Sequence, residues 1–555
     1  MKTSLMLLIW PVMAIFTPTY TFCQNNEKVF DSLLHAQFPA SGPGGTVLIA
    51  RDKEIIYNKA FGQSNIELNI PMTVDNVFRI GSITKQFTAV AILKLAEEGK
   101  LNLLDEVTKF IPDYPSPGKN ITIANLLSHT SGIKNYTGIS KFTKELKRTD
   151  LTPKALVELF KDETPDFSPG TAYRYSNSNY VLLGYIIELI TGDSYASYID
   201  KTFFRPLGMK NSYYDSSSRI IPQRTSGYRY VNGEYENAEF LSMTLPYAAG
   251  SLLSTTGDML IWYNALMSGK VIRLSDLSPA HHSYQLINGK LTGYGYGWEI
   301  GNVQGETTIK HTGVVNGYVT YVSYLPAEKI FIAIFSNVES IGDLDIPGSK
   351  IAGYLLGKPF NFRRLNVSED DLKVYQAVYH NEYDGDKIIA CENGRLSFFT
   401  KGGQKQLLIP YKKDGFYLDQ TLTTIQFNRD QKGKIEGYEM TGTGLTTKWN
   451  KINQNIKAKN RLNVSAKVLA TYAGRYLFKP AMVFEIVVEN DRIYGKAGAD
   501  KKELIPYEKN KFYALDIDAT IIFNLNADAK IVSLTKIQNN EMFATRIEET
   551  GSLKN

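Results

Sequence analysis

The chain has 555 residues, of which 43% are hydrophobic and 21% are charged. This composition is typical of folded globular proteins and excludes a disordered chain, and the length predicts about two to four domains. The formal net charge is +6, but basic and acidic residues are interleaved along the chain, which argues against a nucleic-acid partner.

The first 23 residues have the pattern of a secretory signal peptide. A lysine precedes an apolar run at residues 5–16, which is too short to span a membrane. Small side chains predict cleavage between Cys23 and Gln24; acylation of Cys23 is the alternative, although its aromatic neighbours suit lipoprotein processing poorly. We therefore expect export to the periplasm or the exterior, and a mature chain without a transmembrane segment.

Apolar and polar residues alternate within two segments, 44–62 and 316–337. This pattern predicts β-hairpins on either side of a mainly helical region. Each hairpin leaves an apolar face that needs a partner, so strands from both ends are expected to share an antiparallel sheet covered by helices. The first domain is thus predicted to be α/β and to span residues 24–357.

The segment "FRIGSITKQFTAVAILKLAEEGKL" at 78–101 places Ser82 and Lys85 three positions apart in a helix that is apolar nearly all round. Residues at this spacing share a helical face, so the two side chains are expected to meet. A capping serine beside a surface lysine is the commoner meaning of S-x-x-K. The same spacing recurs as "SPGK" at 116–119 and "SLTK" at 533–536, without a helical setting.

A serine hydroxyl needs a base before it can act as a nucleophile. Lys85 is protonated at neutral pH unless it is desolvated, so it acts either as a neutral base or as a cation that helps a second group ionise. Tyr175 and Asn177, in a turn before an apolar helix that closes at Gly192, supply such a group. A close ammonium lowering the Tyr175 pKa to about 7 would let it deprotonate Ser82 and then protonate the leaving group. Asn177 would donate to a substrate carbonyl, or would be only a turn residue.

The strand "IKHTGVVNGY" at 309–318 supplies the remaining candidates. His311 is a possible cation or hydrogen-bond donor, or else a half-buried strand histidine. Gly313 lets a substrate backbone lie close to the strand. The Val314 N–H, with that of Ser82, is a candidate oxyanion hole.

The C-terminal third is duplicated. Tyr375 and Tyr379 match Tyr472 and Tyr476, "ENGRL" at 392–396 matches "ENDRI" at 489–493, and "LIPY" recurs at 408 and 504. In each copy, apolar and polar residues alternate in short runs, and residues typical of tight turns separate the runs. This pattern predicts about eight antiparallel strands in a small barrel or sandwich. The predicted boundaries of the copies are 361–453 and 464–549.

Ser82-x-x-Lys85, Tyr175-x-Asn177 and His311-x-Gly313, in this order, resemble the three motifs of penicillin-recognising serine hydrolases, in the class C β-lactamase-like branch. The stretches "LLSHTSGI", "AAGSLLSTTGDM" and "YGYGWEI" support the resemblance. It implies an antiparallel sheet between helical clusters, an acyl-enzyme on Ser82, and β-lactamase, D-alanyl carboxypeptidase, D-aminopeptidase or esterase activity. β-Lactamases of this branch usually have lysine where His311 stands, while His-x-Gly with two C-terminal barrels resembles the D-aminopeptidase arrangement.

We therefore expect an exported hydrolase of small-molecule or short-peptide amides or esters that uses no metal or other cofactor. Its histidines show no metal-binding spacing, and G-x-S-x-G is missing from the sequence. The alternatives are a β-lactamase and a penicillin-binding sensor with negligible turnover. The sequence does not indicate an oligomeric state.

Overall fold

The computed structural model describes residues 19–115, 120–453, 456, 459, 461–479, 482–498 and 500–547. Most of the predicted signal peptide and the "SPGK" segment lie outside the described residues. The chain divides into two compact units between Pro359 and Phe360. Within the described residues, no helix is both long enough and apolar enough to cross a membrane.

The first unit is built around a six-stranded antiparallel sheet. In chain order its strands are β1 (Gly45–Arg51), β2 (Glu54–Phe61), β10 (Glu299–Val303), β11 (Glu306–Val315), β12 (Tyr318–Leu325) and β13 (Ile330–Ser336), in the spatial order β10-β11-β12-β13-β1-β2. The pairing of β1 with β13 brings the two ends of the first unit into one sheet, as the two alternating segments predict.

Short strands form smaller sheets around this centre. They are β3 (Gln63–Asn65), β4 (Ile70–Pro71), β5 (Phe78–Arg79), β6 (Tyr213–Tyr214), β7 (Tyr228–Val231), β8 (Glu234–Asn237) and β9 (Leu252–Ser254). The β5-β9-β6 sheet is the one that matters for the site, because β5 leads directly into the segment of Ser82.

Some helices of the first unit pack against the central sheet, and others pack against one another. They are α1 (Thr19–His35), α2 (Thr84–Glu97), α3 (Ile123–Leu127), α4 (Pro153–Phe160), α5 (Asn177–Thr191), α6 (Tyr195–Ile199), α7 (Arg205–Leu207), α8 (Tyr247–Gly250), α9 (Thr256–Met267), α10 (Leu274–Leu277) and α11 (Asp345–Leu355). Helix α2 is buried on almost every side, in keeping with its apolar sequence.

The second unit consists of two closed eight-stranded antiparallel barrels. The first contains α12 (Glu369–Lys373), β14 (Ala377–Asn381), β15 (Gly385–Glu392), β16 (Arg395–Phe399), β17 (Gln406–Lys412), β18 (Gly415–Leu418), β19 (Thr424–Arg429), β20 (Ile435–Thr441) and β21 (Thr447–Asn453). The second contains α13 (Ala466–Tyr472), β22 (Gly474–Phe478), β23 (Met482–Glu489), β24 (Arg492–Ala497), β25 (Asp500–Glu508), β26 (Lys511–Ala514), β27 (Thr520–Leu525), β28 (Ile531–Ile537) and β29 (Glu541–Ile547).

The duplicated tyrosines occupy equivalent positions in the two barrels. Tyr379 donates to the carbonyl oxygen of Tyr375 at 2.7 Å, and Tyr476 donates to that of Tyr472 at 2.8 Å. A tyrosine hydroxyl buried in a barrel needs such a partner, which explains why the pair is retained in both copies. The predicted α/β fold followed by two β-barrels is confirmed.

Candidate active site

Ser82 and Lys85 meet at the beginning of α2. Ser82 lies in a single 3₁₀ turn, Gly81–Ile83, that precedes the helix, and Lys85 Nζ is 2.9 Å from Ser82 Oγ. Ser82 is half-buried, whereas Lys85 is fully buried. By contrast, the "SLTK" segment lies in the barrel strand β28, where a helical pairing is impossible.

The approach of the main chain to Ser82 requires a glycine before it. Gly81 has a φ of +50°, and a Cβ there would lie 2.8 Å from the nitrogen of Val314. A larger residue would be strained by its own backbone and would push β11 away. Gly81 thus keeps the Val314 amide beside the turn that carries Ser82, where the sequence predicts the oxyanion hole.

Lys85 has two further partners, and both of them can only accept. Its Nζ lies 2.9 Å from Asn177 Oδ1 and 2.9 Å from the Ala249 carbonyl oxygen. Burial lowers the pKa of Lys85 well below its ordinary value. No carboxylate in the described part of the chain forms an ion pair with it. In the neutral form of the amine, two N–H groups satisfy these two acceptors, which leaves the lone pair for the proton of the Ser82 hydroxyl.

The segment 247–252, which contains α8 and Ala249, is held against α2 by two threonines. Thr88 Oγ1 donates to the Ala248 carbonyl oxygen at 2.7 Å, and Thr84 Oγ1 accepts from the Leu252 N–H at 3.1 Å. The Ala249 carbonyl that faces Lys85 therefore lies between two fixed points of the main chain.

Tyr175 lies beside Lys85 but presents the face of its ring. Lys85 Nζ is 4.7 Å from the ring centroid. The Tyr175 hydroxyl is buried and makes no well-formed hydrogen bond to the described residues. Burial raises the Tyr175 pKa well above 10, and its interaction with Ser82 only partly offsets this rise. The expected lowering of this pKa to about 7 is therefore wrong, because loss of solvation favours the neutral phenol and moves the pKa in the opposite direction.

Asn177 begins α5, which ends at Thr191 and is followed by Gly192 with a φ of +74°, as predicted. Its own N–H donates to Asn135 Oδ1 at 3.2 Å, which fixes the first turn of the helix. The Asn177 side chain thus reaches Lys85 from the end of a well-anchored helix, which orients its amide.

His311 is buried and neutral. Its Nδ1 lies 2.7 Å from the Thr312 carbonyl oxygen and must donate to it, so Nε2 accepts from the Tyr294 hydroxyl at 2.9 Å. Burial, together with the nearby Lys85, lowers the His311 pKa to about 3. The structure therefore does not support a cationic anchor at His311. Its imidazole instead orients Tyr294 and the end of β11.

Gly313 serves close packing inside the protein. A Cβ at this position would lie 2.0 Å from the Ile80 carbonyl oxygen and 2.3 Å from Thr320 Oγ1. Gly313 is itself buried. The expectation that a substrate backbone needs this glycine is therefore not supported, since the close neighbour is the segment leading to Ser82.

Replacing Gly313 with alanine is expected to destabilise the first unit, because the new methyl group overlaps two fixed oxygen atoms. Overpacking of this kind costs about 1–3 kcal/mol or more in free energy of unfolding. Thermal denaturation of the variant measures the loss. Gly257→Ala is the control, because the nearest atom to its added Cβ is 3.8 Å away. Equal stability of the two variants would contradict the proposed packing role.

A cavity of about 280 Å³ opens beside these residues. Ser82, Asn177 and Val314 all line it. The Val314 side chain is 63% exposed, so its main chain lies at an accessible edge. The cavity gives a substrate access to the serine and to the two candidate oxyanion donors.

A family model described as Beta-lactamase matches residues 34–347. The match covers more than half of the chain and includes every site residue above. The chain belongs to the beta-lactamase family. It is a serine hydrolase of that family, and the resemblance predicted from the three motifs is confirmed.

Relatives of this beta-lactamase family member match both parts of the chain. Penicillin-binding protein 4* of Bacillus subtilis is 28% identical over 432 residues, which cover 73% of this chain and 94% of that protein. The structure of a D-stereospecific amidohydrolase from Streptomyces sp. is 27% identical, covers 59% of this chain and 97% of that one, and has a TM-score of 0.52.

A further structure shares the fold of almost the whole chain. It is an octameric penicillin-binding protein homologue from Pyrococcus abyssi, with a TM-score of 0.54 and 24% identity, covering 94% of this chain and 99% of that one. The likeness supports the succession of one α/β domain and two barrels.

Three members of the site in this beta-lactamase family protein are missed by motif reasoning. Ala249 acts through its carbonyl oxygen, Tyr294 bonds His311, and His129 packs 4.3 Å from the Tyr175 ring while its Nδ1 accepts from the Ser176 N–H at 3.2 Å. All three lie in the stretches that support the family resemblance. The resemblance marks the stretches, but residue type alone does not reveal these contacts.

Proposed function

We propose that this protein is an exported hydrolase that cleaves amide or ester bonds of small, peptide-like substrates through an acyl-enzyme on Ser82. The observation that carries the proposal is the environment of Lys85: a buried amine 2.9 Å from Ser82 Oγ, whose two other partners are pure acceptors. Such an amine is a ready base for the serine hydroxyl.

In the proposed acylation, Ser82 Oγ attacks the substrate carbonyl carbon and its proton passes to Lys85 Nζ. The carbonyl oxygen becomes an oxyanion held by the N–H groups of Ser82 and Val314, each such donor contributing about 3–4 kcal/mol. Asn177 Oδ1 accepts from Lys85 Nζ, which leaves the Asn177 Nδ2 group to donate to the substrate.

Collapse of the tetrahedral intermediate breaks the bond to the leaving group. Tyr175, whose raised pKa keeps it protonated, donates its proton to the departing atom and recovers one from Lys85. Water then repeats the sequence on the ester of Ser82, and the serine regains its proton. His311 and Tyr294 are positioning residues, because their mutual hydrogen bond is buried and neither residue lines the cavity.

The D-stereospecific amidohydrolase neighbour supports amide substrates that contain D-residues. D-Alanyl peptides, D-aminoacyl amides and simple esters are therefore the substrate classes to test first. Residues 1–23 are proposed to be the export signal, 24–357 the hydrolase domain, and 361–453 and 464–549 the two repeats.

Covalent trapping tests this proposal. The protein is incubated with a fluorescent penicillin, a p-nitrophenyl ester and a D-aminoacyl anilide, quenched in acid, and analysed by peptide mass spectrometry. The proposal predicts an acyl adduct on the peptide that contains Ser82 and catalytic release of product. Product release without any Ser82 adduct, under conditions that trap a slow acyl donor, would count against it.

The second candidate is a penicillin-binding protein with negligible turnover, which the similarity to penicillin-binding protein 4* over 94% of that relative favours. The same experiment separates the two. A Ser82 adduct that persists for hours without product release from any of the three compounds supports the second candidate.

Replacing Tyr175 with phenylalanine is expected to affect amides more than activated esters. Anilides need a proton on the leaving nitrogen, so their kcat is expected to fall by about 10²–10³-fold through loss of the general acid. p-Nitrophenolate departs without a proton, and its ester should lose far less. Steady-state kinetics on both substrates measure the ratio, with Tyr185→Phe in α5 as the control. Equal losses on both substrates would show that Tyr175 does not protonate the leaving group.

A further inference from the structure

The cavity beside Ser82 combines apolar walls with a single cation. Aromatic and aliphatic side chains supply much of its lining, among them Phe142, Leu241 and Leu245. Among the described residues that line the cavity, Lys147 is the one with a charged side chain. It is half-buried, and no carboxylate in the described part of the chain forms an ion pair with it. A ligand in this cavity would therefore meet a positive charge on an apolar background.

The main chain around Lys147 is held by hydrogen bonds to residues 242–244. Lys147 lies in the 3₁₀ turn Leu146–Arg148, and its carbonyl oxygen accepts from the Ser242 N–H at 2.8 Å. The Leu151 N–H donates to Thr244 Oγ1 at 3.0 Å. The Lys147 Nζ lies 5.6 Å from the Phe142 ring centroid, over a second lining residue. These contacts fix the base of the side chain beside the cavity.

The mechanism indicates which part of a substrate the cavity receives. The leaving group must lie next to Tyr175, the proposed proton donor, and Tyr175 does not line the cavity, whereas Ser82, Asn177 and Val314 do. The acyl portion of the substrate therefore extends into the cavity. His311 is neutral and buried, so the positive charge that a substrate meets comes from Lys147.

We propose that Lys147 is a specificity-determining residue that binds an anionic group, such as a carboxylate, on the acyl portion of the substrate. This inference rests on the proposed function. Among the proposed amides and esters, it predicts a preference for acyl groups with an apolar stem and a terminal negative charge. An acyl group with a free ammonium in the same place is disfavoured by like-charge repulsion.

Matched esters test the inference on the full-length protein. p-Nitrophenyl pentanoate, mono-p-nitrophenyl glutarate and p-nitrophenyl 5-aminopentanoate have similar acyl lengths and differ in the charge at the end. Their kcat/KM values are measured after subtraction of spontaneous hydrolysis, which a free carboxylate accelerates. The ratio of glutarate to pentanoate is the readout, because a general loss of activity cancels in it.

The wild type is expected to prefer glutarate to pentanoate and to discriminate against the ammonium ester. Lys147→Met should lower the glutarate-to-pentanoate ratio by about tenfold, the effect expected for one charge-assisted hydrogen bond. Lys147→Arg should restore most of the glutarate-to-pentanoate ratio, and Lys147→Glu should reverse the preference. Added salt should weaken the preference of the wild type for glutarate. Lys144→Met, a change of the same type at an exposed neighbour outside the cavity, should leave the ratio unchanged.

An unaltered glutarate-to-pentanoate ratio in Lys147→Met would overturn the inference. It would also be overturned if Lys147 favoured a carboxylate only when that carboxylate is on the leaving group. A pair of pentanoate esters, of phenol and of 3-hydroxybenzoate, detects that second outcome. Ser82→Ala separates failure of this inference from failure of the proposed function. If pentanoate hydrolysis requires Ser82 but the glutarate-to-pentanoate ratio does not depend on Lys147, only the specificity inference fails.

Discussion

Replacing Ser82 with alanine is expected to lower kcat/KM for both p-nitrophenyl esters and D-aminoacyl anilides by about 10⁵-fold, in the range found when a catalytic nucleophile is removed. The physical reason is that Lys85, 2.9 Å from the Ser82 oxygen, would have no hydroxyl to deprotonate, and no acyl-enzyme could form. Substrate binding and the N–H donors of the oxyanion hole would remain in the variant. It should therefore still hydrolyse the substrates somewhat faster than the uncatalysed reaction in water. Steady-state kinetics and mass spectrometry of the variant measure both effects.

Ser533→Ala is the matched control for this change. Ser533 begins another S-x-x-K sequence, but it lies in the barrel strand β28 and is 4% exposed. Its replacement should leave turnover and adduct formation intact. Wild-type turnover by Ser82→Ala would remove the basis of the proposed mechanism.

Replacing Lys85 with methionine is expected to lower kcat/KM by about 10²–10⁴-fold, the usual contribution of a positioned general base. Methionine fills a similar volume and lacks the lone pair that faces Ser82. Lys85→Arg should be equally inactive, because a guanidinium does not give up its proton at any working pH. A cation that merely supported a tyrosinate would instead be partly replaced by arginine, so this variant distinguishes the two alternatives.

Lys94→Met controls for the removal of a lysine from the same helix. Lys94 lies 4.0 Å from both Glu97 and Glu98 at the far end of α2, away from the serine. The Lys94→Met variant should retain nearly full activity. Circular dichroism of all three variants distinguishes lost chemistry from lost fold.

Much of the fold could be predicted because the relevant signals are local. Alternation in 44–62 and 316–337 indicated strands, and the apolar face of each required a partner, which the pairing of β1 with β13 supplies. The repeated tyrosines and turn residues of the C-terminal third likewise identified two similar β units. Closure of each unit into a barrel could not be separated from a sandwich, because closure depends on the pairing of the first strand with the last.

The three site motifs could be located, but the protonation of their residues could not. The spacing of Ser82 and Lys85 predicts that they meet. The direction in which the pKa of Tyr175 moves depends on burial by residues far along the chain, such as His129 and Tyr294, whose ring centroids lie 4.3 Å and 6.2 Å from that of Tyr175. Burial raises this pKa, whereas the motif alone suggested that a neighbouring ammonium would lower it.

The sequence also locates the histidine and the glycine of the third motif without showing what surrounds them in the fold. A histidine in a strand can be an exposed cation or a buried neutral ring, and the hydrogen bond from Tyr294 decides the matter for His311. Gly313 can admit a substrate or a neighbouring main chain, and here the Ile80 carbonyl oxygen occupies the space. Lys147 belongs to no motif, and only the folded loop brings it to the cavity.

The pH dependence of kcat/KM is the measurement that tests the central claim, that neutral Lys85 is the base for Ser82. Activity requires the unprotonated amine, so it should rise with pH through an apparent pKa well below the ordinary lysine value, since burial lowers the pKa of Lys85. A tyrosinate base would place the same rise above 10, because burial raises the Tyr175 pKa. Glu299, whose pKa burial raises to about 7, would add a change of its own to the profile, so Glu299→Gln is measured in parallel. The account predicts that the rise persists in Tyr175→Phe and in Glu299→Gln and is lost in Lys85→Met. A rise that disappears in Tyr175→Phe, or one that lies at the ordinary lysine value or higher, would contradict it.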